Sequence, residues 1–307
     1  MSENGAKPRL SGVLVTYRRP EQLTATLGAL QAQTRPLDRL VVVDNAPTAL
    51  GREIVRVAFP DAEYVAASGN TGPAGGIATG MDLLLEGADD ADWIVTLDDD
   101  DPPADVQVFA TLMDYAVDIT RRDPRVAGVG VEGQRFDRRR GRIVWVPDDA
   151  LVGDVSVDYI GGDFFPCYSV RAIRDAGTFR RDLFFGFEEL EYGLRMRSAG
   201  YSLYAPGPVF HSSRATNGDL GKDLVPSRAL GRVTWRRYYS LRNLLWILRD
   251  HGWLGAALRV TVIVGIAKPL ANVFVDPRLA FRHLVLNARA CLDAWTGRMG
   301  RTVEPAA

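Results

Sequence analysis

Four consecutive aspartates, residues 98–101, directly follow the apolar run WIVTL. An apolar and β-branched run of this length predicts a buried strand, so the four carboxylates are expected at its end. Adjacent carboxylates repel one another, and a divalent cation that prefers oxygen ligands, Mg²⁺ or Mn²⁺, relieves that repulsion. The alternative is a solvated acidic loop that caps a helix beginning near Pro103. The pattern favours a metal site over this capping role.

A second acidic cluster lies in the segment FGFEELEYGLRMRSAGY, which is predicted to form a helix. Glu188 and Glu189 follow the apolar run FFGF, which should be partly buried, so these two acids are candidate functional residues. The alternative is a solvated helix face on which Glu191 pairs with Arg195. That alternative suits Glu191 better than its two neighbours.

His211 is a third candidate, about twenty residues beyond these acids, in the segment APGPVFHSS. A lone histidine is often a structural group, but imidazole is also a frequent metal ligand. His251 and His283, nearer the end of the chain, are assigned no chemistry.

The elements that position these groups alternate between strands and helices. Apolar runs predict strands over residues 10–16, 40–43 and 93–97, with helical spacing over residues 20–33 and 50–58. Such alternation predicts a mostly parallel sheet with helices on both faces, and ligands bind at the carboxyl ends of its strands. The groups at three predicted strand ends should therefore converge: Thr16-Tyr17-Arg18, Asp44-Asn45 and the aspartates.

A glycine-rich stretch, residues 68–81, precedes the aspartates and runs into a predicted helix. Glycines allow the backbone to approach phosphate or ribose, and a helix N-terminus favours negative charge. Tight packing of a helix on the sheet explains the same glycines equally well. The stretch has neither the Gly-Lys-Ser/Thr of a Walker loop nor a position directly after the first strand, as in a Rossmann fingerprint.

Several motifs in this order resemble glycosyltransferase family 2: the TYRRP start, the VVDN second strand and Asp-x-Asp after a buried strand. The resemblance implies an α/β protein of the GT-A fold, with a mostly parallel central sheet and a helical C-terminal extension. The segments TYRRP, GPAGGIATGM and EELE are most similar to bacterial rhamnosyl- and galactofuranosyltransferases that build cell-wall polysaccharide.

The resemblance also implies roles for individual residues. Glu189 matches the family's general base, although the family has Asp there, so Glu188 remains an alternative. Asp100 and His211 would hold Mg²⁺ or Mn²⁺, and a turn at Gly161, Gly162 and Asp163 would line the acceptor site. The nucleotide-sugar donor would be bound by Thr16, Tyr17, Arg18, Asp44, Asn70, Asp98 and Asp99.

The C-terminal part differs in charge from the rest of the chain. From Pro226 onward there are 13 Lys and Arg against 4 Asp and Glu, a net charge of +9, whereas the remainder carries −10. We expect a GT-A domain over residues 1–225 and a basic helical extension over residues 226–307. The apolar stretch at residues 254–275 is interrupted by Arg259, Lys268 and Pro269, which favours a helix lying in a membrane surface over a span. Packing on the acidic domain and contact in a homodimer are the alternatives.

Arginines in the segment RRYYSLRN resemble a stretch that follows the catalytic domain in bacterial members of the family. Arg236, Arg237 and Arg242, with Asn243, could hold a diphosphate or the phosphate of a lipid-linked acceptor. They could equally face lipid head groups or the acids of the chain itself.

Together these features predict an inverting, metal-dependent glycosyltransferase that uses a UDP- or dTDP-sugar and a saccharide or lipid-linked acceptor. Two distant cysteines and an N-terminus without an apolar stretch favour the cytoplasm, with peripheral contact at the inner membrane face. Nothing in the composition indicates nucleic-acid binding. A sugar-nucleotide nucleotidyltransferase is one alternative, although TYRRPEQ lacks the glycines expected after its first strand. A non-catalytic nucleotide-sugar-binding subunit is another.

Overall fold

The computed structural model of the chain describes residues 7–217, 235–271 and 273–304. Its strands are β1 (Leu10–Thr16), β2 (Arg39–Asp44), β3 (Glu63–Ala66), β4 (Trp93–Asp98), β5 (Val126–Val129), β6 (Arg135–Asp137), β7 (Arg142–Val144), β8 (Asp154–Val157), β9 (Cys167–Ser169) and β10 (Ser202–Pro206). Its helices are α1 (Pro20–Gln31), α2 (Ala49–Ala58), α3 (Gly72–Leu85), α4 (Val108–Arg122), α5 (Val170–Ala176), α6 (Glu188–Ser198), α7 (Gly207–Asn217), α8 (Trp235–Asp250), α9 (Leu254–Val260), α10 (Lys268–Ala271) and α11 (Pro277–Thr296).

Eight strands form one sheet in the order β3-β2-β1-β4-β9-β5-β10-β8. The first four run parallel to one another, and β5 runs parallel to β10. Strand β9 is antiparallel to both β4 and β5, and β8 is antiparallel to β10. The mostly parallel sheet expected from the sequence is therefore confirmed, with β8 and β9 antiparallel to their neighbours.

Buried side chains cover both faces of this sheet. One core lies between the sheet and α3, α5 and α6, and a second lies between the sheet and α1 and α4. Burial on both faces explains why the parallel strands are nearly continuous apolar runs and do not alternate with polar residues.

The glycine-rich stretch is mostly helix and not an open loop. Helix α3 begins at Gly72, so Gly75, Gly76 and Gly80 lie inside it. A Cβ at Gly76 would lie 2.7 Å from Val15, and one at Gly80 would overlap Val13. Of the two explanations open from the sequence, the structure favours close packing of α3 on β1 for these glycines.

Helix α4 begins at Val108 and not near Pro103, so the capping role considered for the aspartates is wrong. Residue Gln107 precedes the helix, with no side-chain cap. The aspartates are thus separated from α4 and free to face the edge of the sheet.

The helices after residue 234 share a core with the first part of the chain. Leu245 and Ala257 belong to the same buried cluster as Phe136, Leu183 and Leu190. The predicted boundary near residue 225 lies outside the described residues, so the division into 1–225 and 226–307 stays a prediction. The described helices of the C-terminal extension do pack against the first part of the chain, which was one of the alternatives considered for that extension.

One helical stretch among the described residues, Leu254–Ala271, has the length and apolar composition to cross a bilayer, with a mean hydropathy of 1.6. It comprises α9, a π-helical segment (Thr261–Ala267) and α10. Arg259, Lys268 and Pro269 lie within it, so this finding differs from the expectation that they leave the run too short for a span.

Candidate active site

Three strand ends meet at the carboxyl edge of the sheet. Thr16 at the end of β1 pairs with Asp44 at the end of β2, and Val15 pairs with Asp98 at the end of β4. Parallel strands in register bring their last residues to one edge, as expected from the sequence. This edge therefore carries a threonine and two carboxylates within neighbouring strands.

Asp99 is a buried acid held from several sides. It accepts hydrogen bonds from the Thr16 hydroxyl at 2.7 Å, the Tyr17 amide at 3.2 Å and the Arg19 guanidinium at 3.1 Å. Its own carbonyl accepts a hydrogen bond from the Thr26 hydroxyl. These contacts join β1, α1 and the end of β4, so Asp99 has few lone pairs left for a ligand.

Asp98, Glu188 and Glu189 form a carboxylate cluster at the same edge. A Cβ at Gly162 would lie 2.9 Å from an Asp98 carboxylate oxygen and 3.2 Å from one of Glu189, so both acids face this glycine. Burial and the neighbouring Glu188 raise the pKa of Asp98 to about 7. Burial also raises the pKa of Glu188 to about 7, and burial with the charges of Glu188 and Asp98 raises the pKa of Glu189 well above its usual range. Raised values of this kind are typical of sites that exchange protons or bind cations.

Two further acids border this cluster. Burial and the neighbouring Asp163 raise the pKa of Asp101 to about 6, and one buried oxygen of Asp101 has no hydrogen-bond partner among the described residues. Asp163 is exposed, and partial desolvation together with Asp100 raises its pKa. Asp163 lies in a short 3₁₀ turn (Gly162–Phe164) just before β9. Because β9 is antiparallel to β4, the residues before β9 reach the edge at which β4 ends.

Glu188 and Glu189 occupy the first turn of α6. Phe187 precedes them in the left-handed region, with φ of 66°, and Gly186 and Phe184 also have positive φ. Helix N-termini favour negative charge, which offsets part of the repulsion between the two carboxylates. Glu188 is 5% exposed and one of its oxygens lacks a partner among the described residues, whereas Glu189 is half-buried and faces Gly162.

A further group of polar and aromatic side chains at this edge is built around β2. Asp44 accepts hydrogen bonds from the Tyr64 hydroxyl at 2.7 Å and the Ala46 amide at 2.8 Å. The Arg52 guanidinium lies 4.7 Å from the centre of the Tyr64 ring, and the Arg18 guanidinium lies over the adjacent Tyr17 ring. Aromatic and cationic groups beside a carboxylate suit a nucleotide base and its phosphates.

Asn45 and Asn70 shape the backbone that enters α3. The Asn45 carbonyl oxygen accepts hydrogen bonds from the amide and hydroxyl of Thr71, and its amide nitrogen donates to Gly72 O. The Asn70 carbonyl oxygen accepts from the Gly72 amide. Gly72 has φ of 70°, and a Cβ there would overlap the carbonyl of Phe184. The start of α3 therefore contacts the turn that leads to Glu188.

His211 follows a different strand of the sheet from the carboxylates. It is exposed on α7, which follows β10, and β10 is three strand positions from β4. At about 4.8 Å per strand, the two strand ends are roughly 14 Å apart. His211 shares the carboxyl edge of the sheet with Asp100, but no contact joins them in the part of the chain that the structure describes. Its role as a ligand stays a prediction.

The acidic side chains suit a divalent cation, although no preformed cage is present. Among residues 7–217, 235–271 and 273–304, no three His, Cys, Asp or Glu side chains converge closely enough to hold a metal. Carboxylate oxygens are the ligands that Mg²⁺ and Mn²⁺ prefer, and unpartnered oxygens of Asp101 and Glu188 lie at this edge. The residues therefore fit a cation whose remaining ligands come from a bound diphosphate.

The sequence assigns no individual role to three residues of this edge, Arg19, Asn45 and Asp101, although Asn45 and Asp101 were expected to lie there. Arg19 and Asn45 belong to TYRRP and VVDN, and Asp101 ends the run of aspartates. Their positions directly after strands were the only available signal. Their partners lie far away in sequence, so no local pattern indicates the contacts.

Comparison with known proteins identifies the family that this chain resembles. Residues 11–140 match the family described as "Glycosyl transferase family 2". The chain is 36% identical over 176 residues to "Galactofuranosyltransferase GlfT1" of Mycolicibacterium smegmatis, covering 55% of each chain. It is 38% identical over 141 residues to the protein of that name from Mycobacterium tuberculosis (strain CDC 1551 / Oshkosh), covering 43% of this chain and 44% of the relative. The chain thus matches about half the length of these relatives.

Solved structures share the fold at low sequence identity. The structure of S. aureus TarS 1-349 aligns with a TM-score of 0.50 and 13% identity, over 94% of this chain and 92% of the other. The structure of GalNAc-T7 with UDP, GalNAc and Mn²⁺ aligns with the same score and identity, over 67% of this chain and 43% of the other. The GT-A fold, with its mostly parallel sheet and helical C-terminal region, is confirmed. The resemblance of this chain to glycosyltransferase family 2 is likewise confirmed, with its matched segment at residues 11–140 and relatives among the galactofuranosyltransferases.

Proposed function

We propose that this chain is an inverting, metal-dependent glycosyltransferase that moves a sugar from a UDP- or dTDP-sugar to a hydroxyl of a saccharide or lipid-linked acceptor. The main support is the juxtaposition of Asp98 and Glu189 across Gly162, at the edge where β1, β2 and β4 end. The similarity to galactofuranosyltransferases supports galactofuranose as the sugar and cell-wall polysaccharide as the product.

The donor lies on the β1–β2 side in this proposal. Asp44 and the Tyr17–Arg18 pair contact the base, Asn70 borders the sugar diphosphate, and Asp98 lies beside the ribose. Asp100, with His211, would hold Mg²⁺ or Mn²⁺, a divalent cation such as the Mn²⁺ in the GalNAc-T7 structure. When bound, the cation offsets negative charge on the departing diphosphate.

Glu189 acts as the base in a single displacement. The acceptor hydroxyl oxygen bonds to the anomeric carbon as that carbon's bond to the diphosphate oxygen breaks on the opposite face. The hydroxyl proton passes to Glu189, and the electron pair of the broken bond leaves with the nucleoside diphosphate. Glu189 faces Gly162 and the Gly161–Asp163 turn assigned to the acceptor, whereas Glu188 is more deeply buried, which favours Glu189 for this role. Its raised pKa makes it a strong proton acceptor once ionised.

A thermal-shift screen of nucleotide-sugars, with and without Mn²⁺, tests donor binding. A ligand that binds only the folded chain raises the melting temperature, by an amount that depends on its concentration and Kd. We expect UDP-galactofuranose or dTDP-rhamnose to do so, and only when Mn²⁺ is present. Donor hydrolysis that releases nucleoside diphosphate then separates an enzyme from a binding subunit. Release of pyrophosphate from a nucleoside triphosphate and a sugar phosphate would instead identify a nucleotidyltransferase.

We further propose that the surface of α9–α11 contacts an anionic membrane. Its large exposed apolar side chains include Leu258, Phe274, Phe281 and Leu292, of which Phe274 is 96% exposed. Five cations lie on the same stretch: Arg259, Lys268, Arg278, Arg282 and Arg289. The acids there are Asp276 and the buried Asp293. Apolar side chains among cations match a layer of acyl chains beneath anionic head groups.

Vesicle flotation tests this contact. We expect binding to phosphatidylglycerol vesicles that weakens on pure phosphatidylcholine, and at least tenfold weaker binding for Phe274→Glu combined with Phe281→Glu. Leu50→Glu is the matched control, because Leu50 is 59% exposed on α2, away from this surface. If the double variant instead dissociates a homodimer and leaves vesicle binding unchanged, the membrane is the wrong partner.

A further inference from the structure

Arg242 and Asn243, in the middle of α8, bind the turn that precedes the two glutamates of the site. The Asn243 amide nitrogen lies 3.0, 2.9 and 2.8 Å from the carbonyl oxygens of Leu183, Phe185 and Gly186. The two side chains are fully buried. One amide group therefore holds three carbonyls of a four-residue stretch that ends two residues before Glu188.

Arg242 fixes the orientation of that amide. Its Nε and Nη2 donate to the Asn243 carbonyl oxygen at 3.0 and 2.8 Å, and Nη2 also donates to Leu183 O at 2.9 Å. With its oxygen held by the guanidinium, the Asn243 side chain can only present its N–H groups to the turn. Neither residue is available to a phosphate, so the role considered for Arg242 in binding diphosphate is wrong.

The turn at residues 183–187 has a backbone conformation that is unfavourable for non-glycine residues, so it depends on contacts from its surroundings. Phe184 has φ of 65° and Phe187 has φ of 66°, and a non-glycine residue in this region is strained. Strained turns persist where surrounding contacts determine them, and here the contacts come from α8 and from the start of α3. Phe187 is the residue directly before Glu188, so its conformation sets where Glu188 and Glu189 point.

The composition of the pair also argues against a purely stabilising role. The hydrogen-bond acceptors of Arg242 are carbonyl oxygens, the Asn243 amide and the hydroxyls of Thr302 and Tyr238, and the carboxylates of Asp182 and Asp293 act on it only through their charge. Burying a guanidinium without a directly hydrogen-bonded carboxylate is costly, and apolar side chains could stabilise the same contact as well. A cost of this kind is typical of residues retained to fix a geometry.

We propose that Arg242 and Asn243 are positioning residues, which hold the 183–187 turn so that Glu189 meets the acceptor hydroxyl. This inference rests on the proposed function for the part played by Glu189. Neither side chain touches a substrate, and both act through the turn. A base displaced by about 1 Å can lower a rate by on the order of 10²-fold, so modest loosening of the turn should be visible in turnover.

The test compares Asn243→Asp with Arg249→Met. The aspartate keeps the shape and the bond to Arg242 but cannot donate to the three carbonyls. Arg249, near the end of α8, donates to the carbonyl oxygens of Ala294 and Trp295 on α11, and among the described residues it has no hydrogen bond to the turn or to Arg242. We expect Asn243→Asp to lower kcat by 10- to 100-fold, with the donor KM changed by less than about threefold. Arg249→Met should lower the melting temperature but leave kcat unchanged below it.

A second measurement keeps the inference separate from the proposed function. Hydrogen–deuterium exchange over residues 184–191 should be at least tenfold faster in Asn243→Asp than in the wild-type chain, while exchange in β1 stays the same. Wild-type kcat in a folded Asn243→Asp variant, or unchanged exchange in that segment, would overturn the positioning role. If the wild-type chain releases no nucleoside diphosphate, the proposed function fails, and the exchange result still decides whether the turn depends on Asn243.

Discussion

Arg19 donates from one guanidinium nitrogen, Nη1, to the carboxylates of both Asp99 and Asp100. The two aspartates differ in what else they contact. Asp99 is buried and also bound by Thr16 and Tyr17, whereas the Asp100 side chain is half-exposed and Arg19 is its ion-pair partner among the described residues. Asp99 thus stabilises the junction of β1 and β4, and Asp100 remains able to exchange Arg19 for another cation.

This relationship predicts opposite effects for two substitutions. Asp100→Ala should abolish the Mn²⁺-dependent part of donor binding in calorimetry, because the proposed carboxylate ligand is lost. Arg19→Met should strengthen Mn²⁺ binding by roughly 2- to 5-fold, since a half-exposed ion pair that competes with the metal contributes about 0.5–1 kcal/mol. Unchanged metal-dependent affinity in Asp100→Ala would refute the assignment. Arg35→Met, which removes an exposed pair with Asp38, is the control for loss of surface charge.

Glu189→Gln should lower turnover by on the order of 10²–10⁴-fold while donor binding is retained, because a positioned base is removed without a change of shape. The measurement is kcat for transfer, with donor affinity from calorimetry. Glu191→Gln is the control on the same helix, where Glu191 pairs with Arg195 and not with the carboxylate cluster. Wild-type turnover in Glu189→Gln, combined with a large loss in Glu188→Gln, would move the role to Glu188.

Stability should fall as pH rises through the acidic range. The pKa of Glu188 is about 7 in the folded chain but near 4.3 when unfolded, so the folded state holds the extra proton between these values. The free energy of unfolding therefore decreases from about pH 4.5 to pH 7. Thermal melts in metal-free buffer should show a lower melting temperature at pH 8 than at pH 5, and Glu188→Gln should reduce the difference. Glu53→Gln, at an exposed ion pair on α2, should leave the difference in melting temperature between pH 5 and pH 8 unchanged. A wild-type melting temperature that does not change between these pH values would contradict the prediction.

Gly72→Ala should destabilise the fold by roughly 2–5 kcal/mol, from a left-handed backbone and a clash with a carbonyl group. A Cβ at Gly72 would overlap Phe184 O, whereas one at Gly69 would meet nothing within 4 Å. Gly69→Ala should therefore change the free energy of unfolding in urea by less than about 1 kcal/mol. Equal stability of the two variants would show that α3 and the 183–187 turn are not in contact.

Strands β1, β2 and β4 were predictable because their signals are local. Apolar runs identify β1, β2 and β4, and parallel pairing then brings Thr16, Asp44 and Asp98 to one edge. Glu188 and Glu189 were assigned to the site by the family resemblance. Their separation from the aspartates along the chain does not by itself predict that the two groups lie close together.

Features that depend on distant partners were not predictable. Strand β9 has only three residues, too few for a periodic pattern, and its pairing with β4 and β5 is set by the tertiary fold. The glycines of α3 fitted two explanations until Val13 and Val15 were seen against them. Asn243 was grouped with phosphate-binding arginines because its backbone partners, about sixty residues earlier in the chain, leave no trace in a local motif.

The reversed direction of β9 has a consequence for how such a protein could diversify. Thr16, Asp44 and Asp98 end their strands, but Asp163 precedes one, so it reaches the shared edge from the opposite direction of the chain. Its turn packs on the end of β4, since a Cβ at Gly162 would lie 2.9 Å from an Asp98 carboxylate oxygen. Under the proposed function, insertions or deletions between β8 and this turn would change the region assigned to the incoming alcohol, whereas β1 and β2 would keep the groups assigned to the nucleotide.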